Sequence, residues 1–315
     1  MTATPFREQR WTSADGLELY CRIYDVGVVP TGIPAGGAPG ADILSGRSAP
    51  ESPRPRPLTV LCLPGLTRNS RDFEALAPHL ATRYRVLCPD LRGRGLSARD
   101  PKWQNYHPGI YLADLQRLMQ ALDLARVAII GTSLGGLLAM MMGATAPERV
   151  AGIVLNDIGP QIDPKGIERI RSYTGMLPPV GTWEEAVKQL RVVYGSAWPG
   201  LSDDMWSALV RRSYRADAAG VPVLDCDPHI GDALRAAPPA APEGFWPVFA
   251  RLGTIPMLVI HGALSDILSV GTLERMQREK PDLERLTVGN RGHVPLLDEP
   301  EALAAIDRFM VRLKP

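Results

Sequence analysis

Gly131-Thr132-Ser133-Leu134-Gly135 places a serine between glycines, at the junction of an apolar run from Val127 to Ile130 and a run of small and apolar residues from Leu134 to Ala144. A serine held on a tight strand-to-helix turn exposes its hydroxyl, and glycine neighbours let main chain pass close beside it. The helix beginning at Leu134 also aims free N–H groups at negative charge developing nearby. This is the chemistry of nucleophilic attack on an acyl carbon. The competing reading is a glycine-rich buried turn with an idle serine. The pentapeptide alone is common, and its strand-turn-helix setting is what favours chemistry.

A serine hydroxyl is a weak nucleophile and needs an imidazole to take its proton. Five histidines are available. His79 lies on a helix, His107 precedes Pro108, His229 sits in a segment without strand pattern, and His261 closes an apolar strand; each reads as a surface or packing residue. His293 differs. It ends Gly289-Asn290-Arg291-Gly292-His293, a glycine-flanked loop after a strand and just before the last helix, where the base falls in the chain order serine, acid, histidine. His261 is the alternative.

The imidazole in turn needs a carboxylate to fix its tautomer and stabilise the imidazolium. Asp266 is the leading candidate, because His261-Gly262-Ala263-Leu264-Ser265-Asp266 follows the strand Met257 to Ile260. Asp157, at the end of the preceding strand, is the competitor; its bland role is a cap where the chain leaves the strand.

The elements that must position these groups alternate. Strands are predicted at Arg7 to Thr12 and Leu17 to Tyr24, joined by a turn at Asp15-Gly16, then at Leu58 to Leu63, Tyr84 to Cys88, Val127 to Ile130 and Val150 to Leu155. Helices are predicted near Phe73 to Ala81, Tyr111 to Leu122 and Leu134 to Ala144. The alternation stops at Asn156-Asp157 and resumes at Met257 to Ile260, with a helix near Gly271 to Glu279, a strand at Leu283 to Val288 and a last helix. Asp298 and Glu301 bracket that helix's start with capping-box spacing. Such order argues for a largely parallel sheet covered on both faces. The core would comprise 1–157 and 253–315, and 158–252 reads as an inserted helical segment rich in aromatics. Residues 27–57, dominated by glycine, proline, alanine and serine, read as a flexible or extended insertion with a contact role such as self-association.

The 315 residues carry 35 basic and 34 acidic side chains, a balance that gives no electrostatic reason for a nucleic-acid or anionic-membrane partner. Val127 to Pro147 is uncharged and long enough to span a bilayer, but its interior Gly131, Ser133, Gly135 and Gly136 break it into strand, turn and helix, so no membrane partner is expected. Cys21, Cys62, Cys88 and Cys226 follow no zinc-ligand spacing, and the first three sit in strand-like runs as small core residues. No metal or other cofactor is expected. Met1 to Arg10 lacks the apolar core of a signal peptide, which points to the cytoplasm.

Taken together, Leu63-Pro64-Gly65-Leu66 after a strand, Asp90-Leu91-Arg92-Gly93-Arg94-Gly95-Leu96-Ser97, the serine turn, Ser265-Asp266 and Gly292-His293 resemble the α/β-hydrolase superfamily in kind and in order. The resemblance implies an α/β fold with an eight-stranded, mostly parallel sheet flanked by helices and an inserted helical cap. It implies an oxyanion hole from the backbone N–H groups of Leu66 and Leu134. Pro64-Gly65 stands where the family usually has His-Gly, a change expected to alter loop packing only. Arg92 and Arg94 are expected as solvated or salt-bridged side chains beside the glycine turn. The implied activity is that of a serine carboxylesterase acting on a small apolar or aromatic ester-like substrate. Lactonase and carbon–carbon bond hydrolase chemistry use the same residues, and a small-ligand binding protein without turnover is the alternative outside enzymes.

Overall fold

The computed structural model describes residues 6–27, 57–238 and 243–314, so the 27–57 insertion lies almost wholly outside the described residues. Eight strands form one sheet: β1 (Arg7–Thr12), β2 (Glu18–Tyr24), β3 (Thr59–Leu63), β4 (Arg85–Asp90), β5 (Val127–Thr132), β6 (Val150–Asn156), β9 (Met257–Gly262) and β10 (Glu284–Val288). Their order is β1-β2-β4-β3-β5-β6-β9-β10. The β1–β2 and β2–β4 pairs are antiparallel, and every pair from β4 to β10 is parallel. The fold is the expected α/β architecture with an eight-stranded, mostly parallel sheet.

Side chains on successive residues of a strand point to opposite faces, and both faces here are covered. Leu61 and Leu63 of β3, with Val127 and Ile129 of β5, join one core, whereas Val60, Cys62, Ala128 and Ile130 join the other. The first core is closed by α2 (Pro108–Ala121) and α3 (Leu134–Thr145). The second is closed by α1 (Leu76–Ala81) and α10 (Pro300–Met310). Every residue of β3, β5, β6 and β9 is buried, which is why these strands read as unbroken apolar runs. Cys21, Cys62 and Cys88 are free thiols within these cores.

Between β6 and β9 the chain forms α4 (Pro164–Tyr173), α5 (Trp183–Tyr194), α6 (Asp203–Ser213), α7 (His229–Ala236) and α8 (Trp246–Ala250). It also forms a hairpin of β7 (Tyr214–Ala216) and β8 (Pro222–Leu224), which the sequence pattern does not announce because each strand has three residues. The segment packs its own cluster around Leu190, Trp198, Trp206, Leu209 and Tyr214. Most of its helices start as amphipathic helices should: Asp163, Thr182 and Ser202 each accept a main-chain N–H in the first turn of α4, α5 and α6. The last two elements are α9 (Val270–Glu279), capped by Ser269, and α10. The capping box expected at Asp298 and Glu301 is not formed. Glu299 holds the N-cap position ahead of Pro300 without a side-chain cap bond, and its carboxylate is engaged by Arg291 Nε at 2.7 Å and by the Leu296 N–H at 3.0 Å.

Among the described residues no helix is long and apolar enough to cross a membrane. The uncharged run from Val127 resolves into β5, the serine turn and α3.

Candidate active site

All the chemistry-bearing loops leave the carboxyl ends of parallel strands, the edge of an α/β sheet where crevices form. Gly65 and Leu66 follow β3, Ser133 follows β5, Asp157 follows β6, and His293 follows β10.

Ser133 has φ 51° and ψ −114°, left-handed for a residue that carries a side chain. Its neighbours make that turn feasible. A Cβ on Gly131 would strike the carbonyl of Gly135, one on Gly135 would strike the carbonyl of Leu63, and one on Gly136 would strike Ile158 Cγ2. The turn is fastened from β6, where the Asn156 carbonyl accepts the Ser133 N–H at 3.1 Å, and α3 begins at once with the Gly136 N–H on the Ser133 carbonyl at 2.9 Å. Strain of this kind persists only where the surroundings impose it.

His293 stands between the serine and a carboxylate. Its Nε2 is 2.8 Å from Ser133 Oγ, and its Nδ1 is 2.8 Å from Asp157 Oδ2. Because the carboxylate can only accept, Nδ1 carries the proton and Nε2 is left to accept the serine hydroxyl. Asp157 is fully buried, with φ 54°. Its Oδ1 accepts the Gly262 N–H at 2.8 Å, and its Oδ2 also accepts the Ser265 hydroxyl at 2.6 Å. Three donors therefore hold one buried carboxylate.

Asp266, the first choice from the sequence, is not the residue on the imidazole. Its side chain, 38% exposed, turns toward α4, where Arg169 Nη2 donates to Oδ1 at 2.8 Å. Burial opposes ionisation there, and the Arg169 guanidinium outweighs it, so the carboxyl titrates below its ordinary value. The physical reason for the exchange is local. The left-handed turn at Asp157 swings its carboxylate sideways across the end of β9, and Ser265, one residue before Asp266, closes over it. His261, the alternative imidazole, is buried and contacts the Leu268 carbonyl and the Thr287 hydroxyl instead. His107 caps α2, while His79 and His229 sit against Asp307 and Asp232.

The loop after β3 borders the serine. A Cβ on Gly65 would be 3.9 Å from Ser133 Cβ and 3.3 Å from Arg68 Cγ. Leu134 is the first residue of α3, so its N–H is among those at a helix start that have no acceptor within the helix. Leu66 is tied down by a residue whose role the sequence does not reveal: Arg94, 1% exposed, donates Nε to the Leu66 carbonyl at 2.8 Å and stacks over Tyr111 at 4.7 Å. Arg92 is equally buried and pairs with Asp15, Asp100 and Asp114, so neither arginine is solvated. Asn156 was a further unforeseen brace: its amide donates to Thr132 Oγ1 at 3.1 Å and to the Pro295 carbonyl at 2.9 Å, linking the serine strand to the loop beyond His293.

A cavity of about 80 Å³ opens beside Ser133 and His293. The inserted segment supplies Ile170, Tyr173, Tyr194, Trp198, Leu209 and Arg212 to its wall. Tyr194 stacks on Trp198 with centroids 4.9 Å apart, so these aromatics serve both as packing and as lining. Among the described residues no three His, Cys, Asp or Glu side chains converge as metal ligands. A polarised hydroxyl, an imidazole and a buried carboxylate in series, beside an apolar cavity, can carry out acyl transfer.

Known proteins share this fold. Residues 59–204 match the family model described as the alpha/beta hydrolase fold. The chain is 30% identical to a 3-hydroxybutyrate-oligomer hydrolase of Cupriavidus necator, over 80% of this chain and 88% of that protein. It is 24% identical to a 2-(acetamidomethylene)succinate hydrolase of Mesorhizobium japonicum, over 80% of this chain and 87% of that one. A crystal structure of an alpha/beta hydrolase from Novosphingobium aromaticivorans superposes with a TM-score of 0.85 at 40% identity, covering 99% of this chain and all of the other.

Proposed function

Because this chain belongs to the α/β-hydrolase superfamily and is a hydrolase, we propose that it cleaves a carboxylic ester through a covalent acyl intermediate on Ser133. The observation that carries the reading is the hydrogen-bonded series Ser133 Oγ, His293 and Asp157, with both links at 2.8 Å.

In this mechanism Ser133 Oγ attacks the ester carbonyl carbon while His293 Nε2 takes the hydroxyl proton. Asp157 keeps the other ring nitrogen protonated and stabilises the imidazolium. The carbonyl oxygen becomes an oxyanion facing the N–H groups of Leu66 and Leu134, donors whose worth is greatest where negative charge develops. As the tetrahedral species collapses, the imidazolium returns its proton to the departing alcohol oxygen. Water then enters, gives a proton to His293 and attacks the acyl carbon; Ser133 leaves, recovers a proton, and the acid is released. The Leu66 donor is supported by its neighbour's approach to Ser133 and by the Arg94 bond that fixes the loop.

Apolar residues around the cavity favour a short apolar acyl or alcohol part. The name of the Cupriavidus necator relative, a hydrolase of 3-hydroxybutyrate oligomers, supports ester chemistry at modest identity. The test is labelling by a fluorophosphonate together with steady-state hydrolysis of p-nitrophenyl butanoate. Labelling and turnover in the natural chain, and loss of both in Ser133→Ala, are expected. A folded protein that neither labels nor turns over would end the ester reading. One that labels but is weak on simple esters would favour carbon–carbon cleavage, and a single slow event per molecule would favour a binding protein.

A further inference from the structure

We propose that the cavity beside Ser133 receives an ester bearing a carboxylate, and that Arg212 is the group that binds that carboxylate. The inference rests on the ester-hydrolase reading and narrows its substrate to short, anionic esters.

The charges facing the cavity do not cancel. Besides His293, the titratable or charged lining residues are Arg68, Asp72 and Arg212, with the phenols of Tyr173 and Tyr194. Arg68 and Asp72 neutralise each other, with Nε on Oδ2 at 2.9 Å, and Arg68 Nη1 also donates to the Ser213 hydroxyl. Arg212, at the last turn of α6, is left over. Its side chain is 16% exposed, and its ion-pair partner among the described residues is Glu74, whose Oε2 lies 4.0 Å from Nε. Glu74 is held more closely by Arg22, at 2.8 Å. Asp298 also feels the Arg212 charge, while burial and the neighbouring Glu299 raise its carboxyl above its ordinary value.

A largely buried guanidinium with so distant a partner is costly unless a ligand completes it. Its planar fork matches a carboxylate, which can accept two parallel N–H bonds. Position limits the ligand's length. A Cβ on Gly65 would be 3.9 Å from Ser133 Cβ and 3.3 Å from Arg68 Cγ, and the tip of Arg68 donates to Ser213, the residue after Arg212. Arg212 and Ser133 line the same cavity. The cavity measures about 80 Å³, so an ester whose carbonyl meets Ser133 while its carboxylate meets Arg212 is a short one.

The experiment compares two probes that differ only in charge: the linear dimer acid of 3-hydroxybutyrate and its terminal primary amide, with cleavage of the internal ester followed by chromatography. The natural chain is expected to favour the acid at least tenfold in kcat/KM, chiefly through KM. In Arg212→Gln the acid-to-amide ratio should collapse toward one, and Arg212→Lys should restore part of it. Fluorophosphonate labelling of each variant verifies that Ser133 is still reactive. An acid-to-amide ratio near one in the natural chain overturns the proposal whatever the variants do, as does a ratio that survives in a labelled Arg212→Gln. Turnover of p-nitrophenyl butanoate without discrimination would sink this inference alone, whereas absence of both labelling and turnover would sink the ester reading beneath it.

Discussion

The hydroxyl of Ser265 and the Nδ1 of His293 converge on the same oxygen of Asp157, at 2.6 and 2.8 Å. Sharing one acceptor couples the two side chains: whatever shifts Ser265 shifts the carboxylate that orients the imidazole.

The first prediction follows from that carboxylate's identity. Asp157→Asn should lower kcat by about 10⁴-fold, because an amide no longer enforces the tautomer in which Nε2 accepts a proton. Asp266→Asn should leave kcat within about tenfold, since it breaks a half-exposed pair with Arg169. Steady-state kinetics on p-nitrophenyl butanoate decides between them, and the opposite ranking would return the role to Asp266.

Ser265→Ala removes one donor to a buried charge and an acceptor for the N–H groups of Ile267 and Leu268. A hydrogen bond to a charged group contributes roughly 1.5–3 kcal/mol, so kcat should fall by about tenfold to a hundredfold while KM stays nearly constant. An unchanged kcat would mean that the hydroxyl merely caps the loop.

For pH dependence the sign is set by the base. A proton on Nε2 of His293 removes the acceptor for Ser133, so kcat/KM should decline on the acid side with unit slope, about tenfold per pH unit. Activity that does not decline toward acid pH would contradict an imidazole base.

Gly135→Ala should destabilise the fold, because its Cβ meets the main-chain carbonyl of Leu63 and no side chain can rotate away. Overpacking of this kind costs on the order of 1–3 kcal/mol or more, visible as a lowered Tm in a thermal melt. A variant that melts with the natural chain would show that the β3 loop yields.

Arg92→Leu should cost about 3–5 kcal/mol at neutral pH, since it strands Asp100 and Asp114 as buried, unpaired carboxylates. Burial already raises Asp114 above the ordinary carboxylate range against the pull of Arg92, and removing that pull raises it further. A raised carboxylate favours the protonated folded form, so the variant's deficit should shrink as pH falls toward about 4. Urea titrations at pH 7 and 4.5 read this directly; equal deficits at both would argue that Arg92 acts by packing.

The strand ladder and the serine turn were legible because they depend largely on short-range patterns: buried strands are apolar without interruption, and Gly131 answers a collision with Gly135 four residues on. Gly135 and Gly136 answer the more distant Leu63 and Ile158. The placement of His293 beside Ser133 was legible from chain order. The carboxylate was not, since the choice between Asp157 and Asp266 depends on a left-handed turn at one and on Arg169, 97 residues away, at the other. The same holds for Arg94. Its charge suggests a surface residue, whereas contacts with Leu66, Tyr111, Tyr106 and the Arg92 carbonyl account for its burial.

The loop that carries His293 leans on the inserted segment. The Gly292 N–H bonds the Ala197 carbonyl at 2.6 Å, and the Trp198 indole bonds the Val294 carbonyl at 2.7 Å, while Trp198 also walls the cavity. In the proposed reaction, substrate contact and proton transfer therefore depend on one stretch of the inserted segment. A designer who grafts another segment between β6 and β9 to reshape the cavity would disturb the position of His293 as well, unless the 197–198 pair travels with the graft.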